Sequence, residues 1–84
     1  MVKINGNRVV NESHSVIHNK GAMVTLSGTW NNYILWSRLV NEPAVFELYD
    51  YDAQVFEKDC YIENVSIDIG RYRNHEIILT VKFV

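Results

Sequence analysis

The chain offers few side chains for covalent or metal chemistry, and their spacing decides what each could do. His14 and His18 are four residues apart, a spacing that grips one ion on a helix. The Ser15-Val16-Ile17 segment between them reads as extended, and in a strand the two imidazoles share a face about 13 Å apart, too far for one ion. Asp50-Tyr51-Asp52 sets two carboxylates where a loop could fold around a divalent cation, but no glycine-bearing calcium loop follows. Cys60 is the single cysteine, flanked by Asp59 and Glu63, a setting that raises a thiol pKa and opposes nucleophilic use. It reads as a buried structural cysteine. Gly70-Arg71-Tyr72-Arg73-Asn74-His75 is a basic hairpin tip with an aromatic at its middle, the combination that contacts phosphate and stacks on a base. The net acidity of the chain argues against nucleic acid there, because nucleic-acid affinity is carried mainly by phosphate neutralisation and the loop supplies only two arginines, which leaves a contact loop for a protein neighbour or plain solvent exposure. Phosphate-cradling glycine loops and Ser/His/Asp motifs do not occur, so the reading is non-enzymatic, with no cofactor and no metal. The candidate interaction residues are Arg71, Tyr72, Arg73, His75, Asp50 and Asp52.

The elements that position these residues follow from composition. The 84 residues include 19 Val and Ile against 8 Leu and Ala, the β-branched bias of a pleated, half-buried surface. The fold class is mainly β: a small antiparallel β-sandwich or partly open barrel, as one domain over 1–84. Asn5-Gly6, between Val2–Asn5 and Arg8–Val10, readily takes the positive φ angles of a tight hairpin turn, and Val16–His18 extends that hairpin. Asn19-Lys20-Gly21 turns the chain into Ala22–Ser27, where Met23 and Thr25 alternate with Val24 and Leu26. Over residues 31–40 the apolar positions recur at three- and four-residue steps, with Asn31 or Asn32 as N-cap and Pro43 beyond as a stop, which makes a short helix. A strand with Tyr33 and Leu35 on one face is the competing reading.

The second half is β-prone in four runs: Val45–Tyr51, Gln54–Phe56, Cys60–Ile69 and Glu76–Val84. In the last, Ile77, Leu79, Val81 and Phe83 share a face. Val65, Ile67 and Ile69 also share one, while Cys60 and Ile62 fall on the opposite parity, so a β-bulge near Glu63-Asn64 is needed to reconcile them. A long C-terminal hairpin, 60–69 with 76–84, results.

Charge is segregated along the chain. Residues 42–68 carry −7, residues 1–41 carry +3 and residues 71–84 carry +2, within a net −2. Unlike surfaces on one small domain suit head-to-tail contact between copies. One unpaired cysteine in so small a domain fits a reducing, cytoplasmic compartment better than secretion, and no segment reads as a signal peptide or a membrane span.

The order Asn41-Glu42-Pro43-Ala44-Val45-Phe46-Glu47-Leu48-Tyr49-Asp50, an acidic turn, Tyr61-Ile62-Glu63-Asn64-Val65-Ser66-Ile67-Asp68-Ile69 and a final strand Ile77–Phe83 resembles the second half of small phage or prophage tail proteins of the tail-tube type. The resemblance covers residues 41–84. It implies a non-enzymatic virion subunit that assembles by sheet edges and loops, with no catalytic residues. The expected function is therefore a structural or protein-interaction module whose partner is another copy or a neighbouring subunit. The alternative is a small β-barrel module binding single-stranded nucleic acid or a small ligand.

Overall fold

The computed structural model describes residues 1–70 and 74–84. Its seven strands are β1 (Val2–Ile4), β2 (Asn7–Arg8), β3 (Glu12–His18), β4 (Gly21–Gly28), β5 (Pro43–Asp50), β6 (Ala53–Asp68) and β7 (His75–Phe83); one helix, α1 (Trp30–Ser37), lies between β4 and β5. The strands form one antiparallel sheet in the order β2-β1-β5-β6-β7-β4-β3. The mainly β class, the open antiparallel sheet and the short helix agree with the sequence reading.

The topology forces the sheet to curl. Its two edge strands, β2 and β3, are separated in the chain by residues 9–11 alone. Six interstrand spacings would set the edges of a flat sheet about 29 Å apart, whereas the link from Arg8 to Glu12 reaches at most about 14 Å. The edges must therefore swing toward one another, and the residues brought between the two halves are the most deeply buried: Val2, Ile4 and Phe46 from one, Val24, Ile77 and Leu79 from the other.

Strand β6 makes this bend possible. Its first half pairs with β5, from Ala53↔Asp50 to Tyr61↔Pro43, and its second half pairs with β7, from Cys60↔Phe83 to Asp68↔Glu76. The register slips between Ile62 and Asn64, the bulge that the parity change requires, and so Cys60, Ile62 and Val65 all reach the interior. The runs Gln54–Phe56 and Cys60–Ile69, read as separate from sequence, are one strand: Glu57, Lys58 and Asp59 are exposed on it and tolerate its extension. Ile69 departs from the expected inner face and lies beyond the strand, 64% exposed.

Local chemistry sets the turns. Asn5 and Gly6 both have positive φ, +53° and +76°, as a tight hairpin requires. At the other end of the sheet Val16–His18 pairs with β4 and does not extend the β1–β2 hairpin. The Asn19-Lys20 turn closes this second hairpin directly, which makes β3 and β4 the natural partners. The helix is capped by Thr29, not by Asn31 or Asn32; Asn32 is instead the reciprocal residue of the capping box, its Oδ1 accepting from the Thr29 N–H at 2.8 Å. Ser37 donates its hydroxyl to the Ile34 carbonyl at 2.7 Å, and the chain tightens into turns after it, three residues short of the expected end. From there the Asn41 N–H donates to the Ile62 carbonyl at 2.9 Å, tying the helix exit to the bulge. Tyr33, Trp36, Leu39 and Val40 rest on the core, and α1 covers that opening of the curled sheet.

Candidate functional site

The candidate residues from the sequence fall into two groups that the fold separates. Asp50 and Asp52 belong to the β5–β6 turn, where Tyr51 takes a positive φ of +56° and is 93% exposed. His75 opens β7 at the opposite end of the 16-residue strand β6. The two groups therefore form no common site. Arg71, Tyr72 and Arg73 lie outside the described residues. His75 is occupied structurally: its Nδ1 accepts the Gly70 N–H at 3.0 Å and fastens the base of that loop.

Beside the Asp50 turn, the outer face of β5 carries a polar cluster. Glu47 accepts from the Tyr49 hydroxyl at 2.9 Å and from the Gln54 side-chain amide at 2.8 Å, and it lies directly opposite Glu57 on β6. The hydrogen bond to Glu47 raises the Tyr49 phenol pKa, since ionising the phenol would set a second negative charge beside the carboxylate. The Lys3 ammonium sits 4.8 Å from the Tyr49 ring centroid, a cation–π contact that brings positive charge to this acidic surface.

His14 and His18 share the exposed face of β3, as the extended reading requires. Among the described residues no three His, Cys, Asp or Glu side chains gather in a geometry for a metal ion. Cys60 is buried where β5, β6 and β7 meet, and burial, with a smaller contribution from Asp59, pushes its thiol from 9.0 up to about 11. The sequence pointed to the acids as the cause; desolvation is the larger one.

Besides the two-residue edge strand β2, two backbone edges are open among the described residues. Strand β3 pairs with β4 on one side, and among the described residues its other side has no ladder partner. The first half of β6 pairs with β5, but β7 begins its pairing only at Cys60, and the last link on that side is the Val84 N–H to the Asp59 carbonyl at 3.0 Å. Residues 54–58 thus present a second open edge. The β3 edge carries Glu12, His14 and His18 with Lys20 in the turn after it, and the β6 edge carries Glu57, Lys58 and Asp59. Val16 is 48% exposed on the first and Val55 57% exposed on the second. By contrast, the short ladder of β1 is completed by side chains. Asn5 accepts the Val45 N–H at 2.9 Å, and Glu12 accepts the Val2 N–H at 3.1 Å and the Ser15 hydroxyl, tying β3 to β1 across the curl of the sheet.

The remaining feature is a cleft of about 440 Å³ between α1, the end of β4 and residues 7–11. Its apolar wall is Val10, Leu26, Leu35, Trp36 and Leu39, and its polar side is Asn7, Arg8, Asn11, Ser27 and Asn32. Sequence reasoning missed it, because its wall comes from three segments that only the curl of the sheet brings together. A signal was present in Leu35 and Trp36, more apolar surface than a two-turn helix can bury on one side.

No helix among the described residues is long and apolar enough to cross a membrane. Comparison of the chain with protein-family models, curated proteins and solved structures finds no match.

Proposed function

We propose that the protein is a non-enzymatic association module that joins protein to protein by strand addition, with another copy of itself as the first partner. The observation that carries this reading is the pair of open edges, β3 and the first half of β6. An unpaired edge is a row of backbone donors and acceptors that a further strand satisfies. β3 of one copy against the first half of β6 of the next is a head-to-tail contact, which generates rings or filaments. The exposed Val16 and Val55 lie along these edges and add apolar area.

Subunit assembly in a phage or prophage tail is the setting we propose for this contact. It rests on the resemblance of residues 41–84, which span β5, β6 and β7. Light scattering across a range of concentrations tests the reading: the mass rises above 9.8 kDa as concentration increases. A mass of one chain at every concentration rejects self-association.

A further inference from the structure

We infer that the cleft between α1 and residues 7–11 binds a small amphipathic carboxylate, a hydrocarbon body with one anionic end. The inference concerns a surface apart from the two strand edges, and either can fail without the other.

The apolar wall of the cleft is exposed within a concavity. Leu35 is 57% exposed and Val10 59% exposed, yet both face a cleft whose wall continues through Leu26, Trp36 and Leu39 to the core. Single exposed apolar residues need no explanation, but several converging on one concave surface leave apolar area in water that a hydrocarbon would cover. The volume, about 440 Å³, lies at the small end of the range for small-molecule sites.

The polar half is the sign of the rim. Of the residues lining the cleft, Arg8 is the one that carries charge, and no carboxylate lines it. Asn7 and Asn11 flank the same opening. Asn32, which also lines the cleft, has its Oδ1 committed to Thr29, so what it has left to offer a ligand is its amide N–H groups. Among the described residues, no hydrogen bond or ion pair engages the Arg8 guanidinium. Donors and one guanidinium at the mouth of an apolar cleft match a carboxylate, which Arg binds through two parallel hydrogen bonds. An alcohol of equal length would gain the apolar contact and lose the charged one.

Trp36 lines the cleft and reports on it once the second indole is removed by Trp30→Phe. In that background, titration with decanoate below its micelle threshold should shift Trp36 emission saturably, and 1-decanol should bind at least about tenfold more weakly, the loss of one charge-assisted contact. Arg8→Gln, at an exposed position on β2, should bring decanoate down to the decanol level and leave decanol unchanged. Leu35→Asn, also exposed, should weaken both ligands together, and circular dichroism melts establish that each variant is folded. Equal affinity for decanoate and decanol, or decanoate binding that ignores Arg8→Gln, overturns the inference. So does a saturable response to a short peptide with an apolar C-terminal residue where decanoate gives none; that result would assign the cleft to a protein tail.

Discussion

The half of the sheet built from the end of β6 with β7 and β4 differs from the half built from β2, β1, β5 and the start of β6 in how the backbone is satisfied. In the first, β7 is paired along its length on both sides, with β6 and with β4, and its inward residues Ile77, Leu79 and Val81 are almost wholly removed from water. In the second, the β5–β6 ladder is as long, but those of β1 are short. Side chains finish them: Asn5 continues β1 along β5, Glu12 closes the seam from β3, and the outer edge of β6 is left open. The lesson is an added role for the second half. Both halves bury apolar residues, Val2, Ile4 and Phe46 in the second as Ile77 and Leu79 in the first, and the second adds polar side chains that shape edges and clefts, the features from which contacts are made.

That contrast predicts its own hierarchy of mutational effects. Leu79→Ala, in the doubly paired half, should cost about 2–5 kcal/mol in denaturant unfolding, because the neighbours on β4 and β6 cannot collapse into the space left behind. Thr80→Ala, on the opposite face of the same strand, should cost less than about 1 kcal/mol. Equal costs at the two positions would mean that the inner face has been misassigned.

Cys60 sits where the halves join and sharpens the comparison chemically. With its thiol held near 11, native-state alkylation at pH 8 should run about a hundredfold slower than in the unfolded chain, as the thiolate fraction falls. Because the folded pKa is raised above its ordinary value of 9.0, the stability gained by burying the neutral thiol is full below pH 9 and is lost as pH rises through 11. Alkylation at matching rates in folded and unfolded protein would place Cys60 at the surface.

Glu12→Ala probes the polar seam. Removing a carboxylate that accepts from the Val2 N–H and the Ser15 hydroxyl should cost about 1–3 kcal/mol, and Glu12→Gln should retain part of it. A loss as large as that of Leu79→Ala would make the seam a second core and erase the distinction between the halves.

The legibility of the chain follows the same line. The β7 pattern, the parity break at Glu63-Asn64 and the Asn5-Gly6 turn are local signals, and each was readable because period-two burial or a positive φ constrains a few adjacent residues. The helix was readable in its middle and misread at its ends, since Thr29 competes with two following asparagines for the cap and only the Asn32 side-chain geometry decides. What the residues could not disclose was closure. That β2 and β3 end up near one another, that Val10, Leu26 and Leu35 share one cleft, and that Asp52 and His75 lie at opposite ends of β6 all depend on strand order. The candidate loop Arg71-Tyr72-Arg73 stood out for its composition; the open edges carry ordinary residues and are defined by pairing that is missing on one side.

The central claim, head-to-tail strand addition, is tested most directly by a mixing experiment read by light scattering. Lysine on an exposed strand edge discourages pairing, so Val16→Lys blocks the β3 edge and Val55→Lys blocks the β6 edge. Each variant keeps one edge intact. The account predicts that either variant alone has the mass of a single chain, 9.8 kDa, and that an equimolar mixture forms a dimer and stops there, one intact β3 edge meeting one intact β6 edge. Variants that associate as the parent chain does, or a mixture that remains monomeric, would contradict it.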